Sequence, residues 1–334
     1  MPRWIGIRRH RILVRMENAN TARAASIGDM GRVALYLQAM RVKSLWISTM
    51  CVLTGGAIAF WQGHVHLAGL FLAWLGAVAV QAGTNLTNVY YNYKSTSGRA
   101  GGALFDPQGS AAPMRRGQLS PSSVHTAAMT CLAVGVVAGL ALTATFGWRI
   151  LAMGVPGLLA GYFYGAPPVR LAYRGLGVLT VFLFMGPVMV IGTYWVQSGS
   201  ISPSVMLASV PVGLLAAGIM HVNDIRDFAS DVAHGKRTLS ISIGRQRAGW
   251  LLVAMDATAY LVVVIGVAMT LLPWPVLLTL ATLPRAIAQT RTVIRERDPI
   301  VLNGAWFLSV QIHTQFGLLF LGGLALARAF VASR

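Results

Sequence analysis

Residues 204–231 read SVMLASVPVGLLAAGIMHVNDIRDFASD. The first twenty carry no charge and, as a helix, reach about 30 Å, the thickness of a bilayer's hydrocarbon core. The last eight hold Asp224, Asp227 and Asp231, three of the nine carboxylates in the chain. A helical continuation spaces them i, i+3 and i+7, on one face. Like charges this close repel, and a low dielectric raises the cost. The pattern therefore points to a cation that neutralises them, and hard oxygen ligands suit Mg²⁺, which usually takes one or two carboxylates together with substrate phosphates. The structural alternative is ion pairing with Arg226, Lys236 and Arg237.

The rest of the chain repeats the membrane signal. Of 334 residues, 55% are hydrophobic and 11% charged, against about 25% charged in soluble domains; mean hydropathy is +0.63. Apolar runs long enough to span fall at about 44–61, 67–92, 122–145, 149–165, 176–197, 204–223, 248–269, 272–290 and 305–327, which predicts an all-α, polytopic membrane protein of nine transmembrane helices. A net charge of +18 would suggest nucleic acid in a soluble protein. Here the basic residues sit between spans, so membrane lipid is the expected partner and nucleic acid is not. Nine lie between Arg3 and Lys43, and most others fall in alternate connections, leaving Arg149, Arg328 and Arg334 opposite. This asymmetry predicts a plasma-membrane protein with a cytoplasmic N-terminus, an external C-terminus and a site towards the cytoplasm. Residues 1–43 read as a basic tail without a cleavage site, 44–328 as the membrane domain and 329–334 as a short tail. Cys51 and Cys131 lie inside apolar runs and suggest neither disulfide nor zinc.

A second polar cluster closes the second span. In NLTNVYYNY, residues 85–93, Asn85, Asn88 and Asn92 share a helical face. Aligning TNVYYNYKS with VNDIRDFAS sets Asn88 on Asn223, Val89 on Asp224 and Asn92 on Asp227, an internal repeat that faces two polar clusters towards each other.

With NDIRDFASDVAHGKRTLSISIG, GYFYGAPPVRLAYRGLGVLTVFLFMGPVMVIGTYWVQSG and GTNLTNVYYNYKS on view, the chain resembles the UbiA-type intramembrane prenyltransferases, in particular the dihydroxynaphthoate branch, over about residues 40–327. The resemblance implies a nine-helix bundle around a central cavity, an isoprenyl diphosphate donor held through Mg²⁺, and an aromatic, naphthoquinone-type acceptor. It implies Asp227 and Asp231 as principal acids with Asn223 and Asp224 beside them, and Lys236 as a catalytic cation. Asn85 and Asn88 match the first motif, with Asn92 beside them. Lys94, Lys236 and one of Arg115 or Arg116 are candidate diphosphate contacts, and Tyr162, Tyr164 and Arg170 border the pocket. The first motif's two aspartates are replaced by Val89 and Asn92. Three outcomes stay open: transfer with fewer metals, cyclisation of the donor without an acceptor, or prenyl-lipid binding without turnover. Asp106 is a substitute ligand or a turn aspartate, Asp256 lines the cavity or pairs with a neighbouring helix, and His313 reads as an interhelical hydrogen-bonding residue. Gly186 and Pro187 read as close-packing residues.

Overall fold

The computed structural model describes residues 31–96, 109–233 and 235–332, and every regular element among them is a helix. After a short helix α1 (Arg32–Ala39) come α2 (Leu45–Trp61), α3 (Leu67–Thr96), α4 (Pro121–Phe146), α5 (Arg149–Phe163), α6 (Gly177–Ser198), α7 (Pro203–Arg226), α8 (Arg245–Ala268), α9 (Leu283–Arg295) and α10 (Pro299–Ala332). Seven of these are long and apolar enough to cross a membrane. Together with α5, at 15 residues, they fall where the apolar runs place them.

The run at 272–290 differs from its expectation as one apolar span. It divides into a 3-10 segment, Trp274–Thr282, and the amphipathic helix α9. Pro273, Pro275 and Pro284 remove backbone donors along this stretch. In α9, Ala286, Gln289, Thr290 and Val293 turn inward at i, i+3, i+4 and i+7, while Arg285, Arg291 and Arg295 are exposed. Burying that outer face in lipid would strand three guanidinium groups, so the helix buries one stripe only.

Helix starts follow the sequence closely. Ser120 and Ser202 each precede a proline at the first helical position, and their hydroxyls accept from the backbone N–H of Ser123 (3.1 Å) and Val205 (3.3 Å). These side chains satisfy donors that the first turn leaves open.

Helix α7 is the central element: 72% of its most apolar stretch is buried, more than in any other span. It packs against α2, α6, α8 and α10. Two glycines permit the closest crossing. A Cβ at Gly213 would stand 2.8 Å from the Gly186 Cα and 2.9 Å from the Phe182 carbonyl oxygen. Gly186 and Pro187 lie in a π-helical turn, Phe184–Val188, inside α6, so close packing is what this glycine does. Helices α3 and α4 approach in the same way, with Gly83 against Leu132 and Gly135 against Val80.

Gly213→Val meets backbone atoms that have nowhere to go, so it should destabilise the fold by about 3 kcal/mol or prevent insertion. Gly322→Ala meets open space and should be neutral or slightly stabilising. Thermal unfolding in detergent distinguishes the two; equal midpoints would refute the packing role of Gly213.

Candidate active site

A cavity of about 390 Å³ opens between α2, α3, α4, α5, α6 and α7. Its two ends differ. Leu142, Ile150 and Val196 line one, while Arg41, Ser44, Asn85, Asn88, Tyr164 and Asn223 line the other. Between them the wall is almost wholly apolar. A shaft of this kind accepts a hydrocarbon chain with its charged group held at the polar end.

The acids of the opening stretch lie just beyond that polar end: Asn223 lines the cavity, while Asp224, Asp227 and Asp231 stand behind its wall. Helix α7 stops at Arg226, and Asp227 caps it with its N–H on the Asn223 carbonyl (3.0 Å). The chain then keeps an almost helical course, with Asp231 N–H on the Asp227 carbonyl (2.8 Å), through the short helix Phe228–Ala233. The carboxylates nevertheless take different partners. Arg226 donates to both oxygens of Asp227 (2.7 and 2.8 Å), to Asn223 Oδ1 (2.7 Å) and to Asn303 Oδ1 (3.1 Å). Lys236 pairs with Asp231 Oδ1 at 2.7 Å. The pairing alternative thus describes two of the three acids, with Arg226 and Lys236 as partners.

Asp224 stands apart from this pairing. It is 4% exposed, and its carboxylate makes no hydrogen bond or ion pair among the described residues. Asp231, Lys236 and Asp227 are near enough for their charges to act on it, and it lies close to Tyr164. The Tyr164 hydroxyl is itself buried without a hydrogen-bond partner among the described residues. Desolvated groups left open in this way are costly unless a ligand completes them.

Among the described residues, no three His, Cys, Asp or Glu side chains stand together as a ready-made metal cluster. The donor set still fits Mg²⁺ in the form that ion usually takes. The buried Asp224 and Asp231 carboxylates are near enough for their charges to interact, Asn88 and Asn223 line the adjoining polar end, and substrate oxygens would complete such a shell. Lys236 would then pass its hydrogen bonds from Asp231 to an incoming anion. Burial pulls the Lys236 pKa down, but the Asp231 carboxylate, with Tyr173 and Asp227, outweighs it and holds the pKa above the ordinary lysine value. The ammonium therefore stays charged throughout the neutral range.

The asparagine stripe lies across from the acids. Asn85 Nδ2 donates to the Met40 carbonyl (3.0 Å) and Ser44 Oγ (2.9 Å), tying α3 to the chain entering α2. Asn92 Nδ2 donates to Asn88 Oδ1 (3.3 Å), and Asn92 Oδ1 accepts from the Tyr173 hydroxyl. Val89 turns elsewhere. It is 1% exposed and packs with Leu35, Ala39, Leu86 and Met114, because this side of α3 receives α1, the Ala111–Leu119 segment and α4. The alignment of Val89 with a ligand position does not translate into a side chain at the cavity.

Other candidates are more scattered. Tyr164 lines the cavity, whereas Tyr162 lies outside its wall with its hydroxyl 3.3 Å from that of Tyr91. Lys94 is exposed over the Tyr90 ring at 6.0 Å. Arg115 is half-buried and Arg116 exposed, and neither lines the cavity. Arg170 stands 5.5 Å from the Tyr173 ring centre. Asp256 is buried beside Gln289 and Ser309 in a separate small cavity, and the buried His313 ring nitrogens have no hydrogen-bond partner among the described residues, unlike the interhelical bond expected of it. Asp106 and residues 1–30 of the basic tail lie outside the described residues.

Residue-type patterns missed three contributors. Arg41 counts in the sequence only as one more basic tail residue, yet it lines the polar end from a left-handed backbone conformation, φ 55°. Tyr173 and Asn303 carry no spacing signal at all.

The matched family model agrees with this geometry: residues 48–310 match the UbiA prenyltransferase family. The chain belongs to that family. Among curated relatives, 1,4-dihydroxy-2-naphthoate octaprenyltransferase of Bacillus subtilis (strain 168) is 29% identical, covering 90% of this chain and 94% of the relative. The Escherichia coli (strain K12) protein of the same name is 26% identical, covering 90% and 98%. A 2-carboxy-1,4-naphthoquinone phytyltransferase of Synechocystis sp. is 27% identical, covering 86% and 92%. Of solved structures, a UbiA homologue from Archaeoglobus fulgidus bound to DMAPP and Mg²⁺ has the same fold, with TM-score 0.56 at 17% identity over 86% of this chain and 99% of that one. The protein is a multi-pass membrane prenyltransferase.

Val89→Asp gives a direct check on the geometry of the first cluster. It places an unpaired carboxylate among apolar side chains and should destabilise the protein by several kcal/mol. Tighter Mg²⁺ binding by an otherwise stable Val89→Asp variant, read by calorimetry in detergent, would overturn the placement of this residue.

Proposed function

We propose that the protein transfers an isoprenyl group from an isoprenyl diphosphate to a dihydroxynaphthoate-type aromatic acceptor, with Mg²⁺, at the cytoplasmic face of the plasma membrane. The observation that carries this reading is the joining of an apolar shaft to a polar end of Arg41, Asn85, Asn88 and Asn223, with the buried Asp224 next to Asn223 behind it. The sequence similarity to naphthoate prenyltransferases supports the acceptor class.

In this reading Asp224, Asp227 and Asp231 supply carboxylates, with Asn88 and Asn223 adding neutral oxygens. Mg²⁺, when bound there, neutralises charge on the departing diphosphate. Lys236 hydrogen-bonds the same diphosphate, and Arg41 lies at the polar end where a second anionic group approaches. Lys94, Arg115, Arg116 and Arg170 attract the donor at longer range. The apolar shaft takes the isoprenyl tail and keeps water from the allylic cation. The cation is attacked by an electron-rich carbon of the acceptor ring, and that carbon's proton leaves as aromaticity returns. Tyr164, which lines the cavity, faces the bound substrates directly, while Tyr162 supports the wall from outside through Tyr91.

Membranes containing the protein, incubated with labelled prenyl diphosphate and Mg²⁺, should yield prenylated lipid only when dihydroxynaphthoate is present. A hydrocarbon formed without acceptor would instead assign a cyclase. Absence of diphosphate release with every donor tested would assign a prenyl-lipid binder. Asp224→Asn and Asp231→Asn should each lower transfer at least ~100-fold, and chelation should abolish it until Mg²⁺ is restored. Full activity of either variant would overturn the carboxylate assignment.

A further inference from the structure

Asn92 and Lys236 approach the polar end from different parts of the chain: one from α3, the other from the turn after Phe228–Ala233. One residue touches both. Tyr173, in the 3-10 turn Leu171–Arg174, donates its hydroxyl to Asn92 Oδ1, while its ring lies 5.3 Å below the Lys236 ammonium. Its backbone is fastened on both sides: its N–H to the Arg170 carbonyl (2.8 Å), its carbonyl to the Arg237 N–H (3.1 Å). The preceding Ala172 N–H binds the Tyr164 carbonyl (3.0 Å). The turn is thus stitched to the cavity wall through Tyr164 and to the second acid cluster through Arg237.

We propose that Tyr173 is a positioning residue for the donor: its hydroxyl fixes the asparagine face and its ring seats Lys236, so both meet the diphosphate as one preformed unit. This rests on the reading of the polar end as the diphosphate site. The chemistry of position 92 supports it. The Asn92 amide accepts from Tyr173 and donates to Asn88 at once. A carboxylate accepts only, so an aspartate at 92 would break the link to Asn88 while adding charge. The neutral residue is what a fastening role requires. Lys236 is placed just as specifically. One of its three N–H groups meets Asp231, and the ring face stabilises the cation without consuming a donor. N–H groups therefore remain for phosphate oxygens. Arg170, 5.5 Å from the same ring centre, adds positive charge beside this point.

The test compares Tyr173→Phe, Tyr173→Leu, Asn92→Ala, Asn92→Asp and the double variant Tyr173→Phe/Asn92→Ala in detergent-solubilised full-length protein. Two readouts are taken: KM and kcat for the prenyl diphosphate, and the Kd of its unreactive thiolodiphosphate analogue. Tyr173→Phe keeps the ring and loses the hydroxyl; KM and Kd should rise roughly fivefold, the size of one ordinary hydrogen bond. Asn92→Ala should match it, and the double variant should be no worse than either. Asn92→Asp keeps the acceptor for Tyr173 but breaks the link to Asn88 and adds negative charge facing the diphosphate, so it should lose at least as much as Asn92→Ala. Tyr173→Leu also unseats Lys236 and should lower kcat as well. Additive losses in the double variant, or unchanged KM and Kd in Tyr173→Phe, would overturn the proposal. So would a fall in unfolding temperature with no change in Kd, which marks Tyr173 as structural only. If the wild type transfers no prenyl group, the analogue Kd still decides the fastening role separately from the proposed reaction.

Discussion

A carboxylate at the buried end of an apolar helix has to be neutralised, and the layout of this protein's polar end follows from that constraint. Asp224 is delivered there by α7, the most enclosed span. Without compensation, its charge and those of Asp227 and Asp231 would oppose one another at low dielectric. The chain answers with two local cations. Arg226 grips Asp227 with a planar fork, and the turn at Gly235 brings Lys236 back onto Asp231. Asp224 pairs directly with neither of these cations.

The asparagine face makes sense against the same background. Across the cavity from three acids, further carboxylates would add repulsion; amides contribute oxygens without charge. They also perform structural tasks that a carboxylate cannot. Asn85 donates twice to the chain entering α2, and Asn92 both donates and accepts. The difference between the two clusters is therefore a division of labour, with charge concentrated on the α7 side and connection on the α3 side.

The apolar part of the cavity depends on small residues in two distinct ways. Where helices cross, Gly186 and Gly213 let backbones touch, because any side chain there meets backbone atoms. Along the cavity itself, Gly139 and Gly154 line the wall with nothing within 4 Å of where a Cβ would stand. The first pair holds the bundle together, and the second leaves it open. Both are compatible with a membrane interior, where packing rather than water exclusion drives helix association.

By itself the sequence determined the membrane setting, seven of the apolar spans, the position of the acid cluster and the family, since each rests on local composition or on contiguous motifs. Helical spacing put Asn85 and Asn88 on one face and the family resemblance singled out Tyr164 and Asn223; all four line the polar end. Only the tertiary structure decided the rest. Proline spacing and three arginines divided the 272–290 run into a 3-10 segment and a surface helix. Packing against α1 and α4 turned Val89 into the core, although Asn88 beside it lines the cavity. Arg41 and Asn303 enter the site from stretches with no motif, and Tyr173 from a motif stretch in which nothing marks it, because the residues they touch are 69 to 81 positions away in the chain. A one-dimensional pattern records the face of a helix; the partner that face meets depends on how the helices pack.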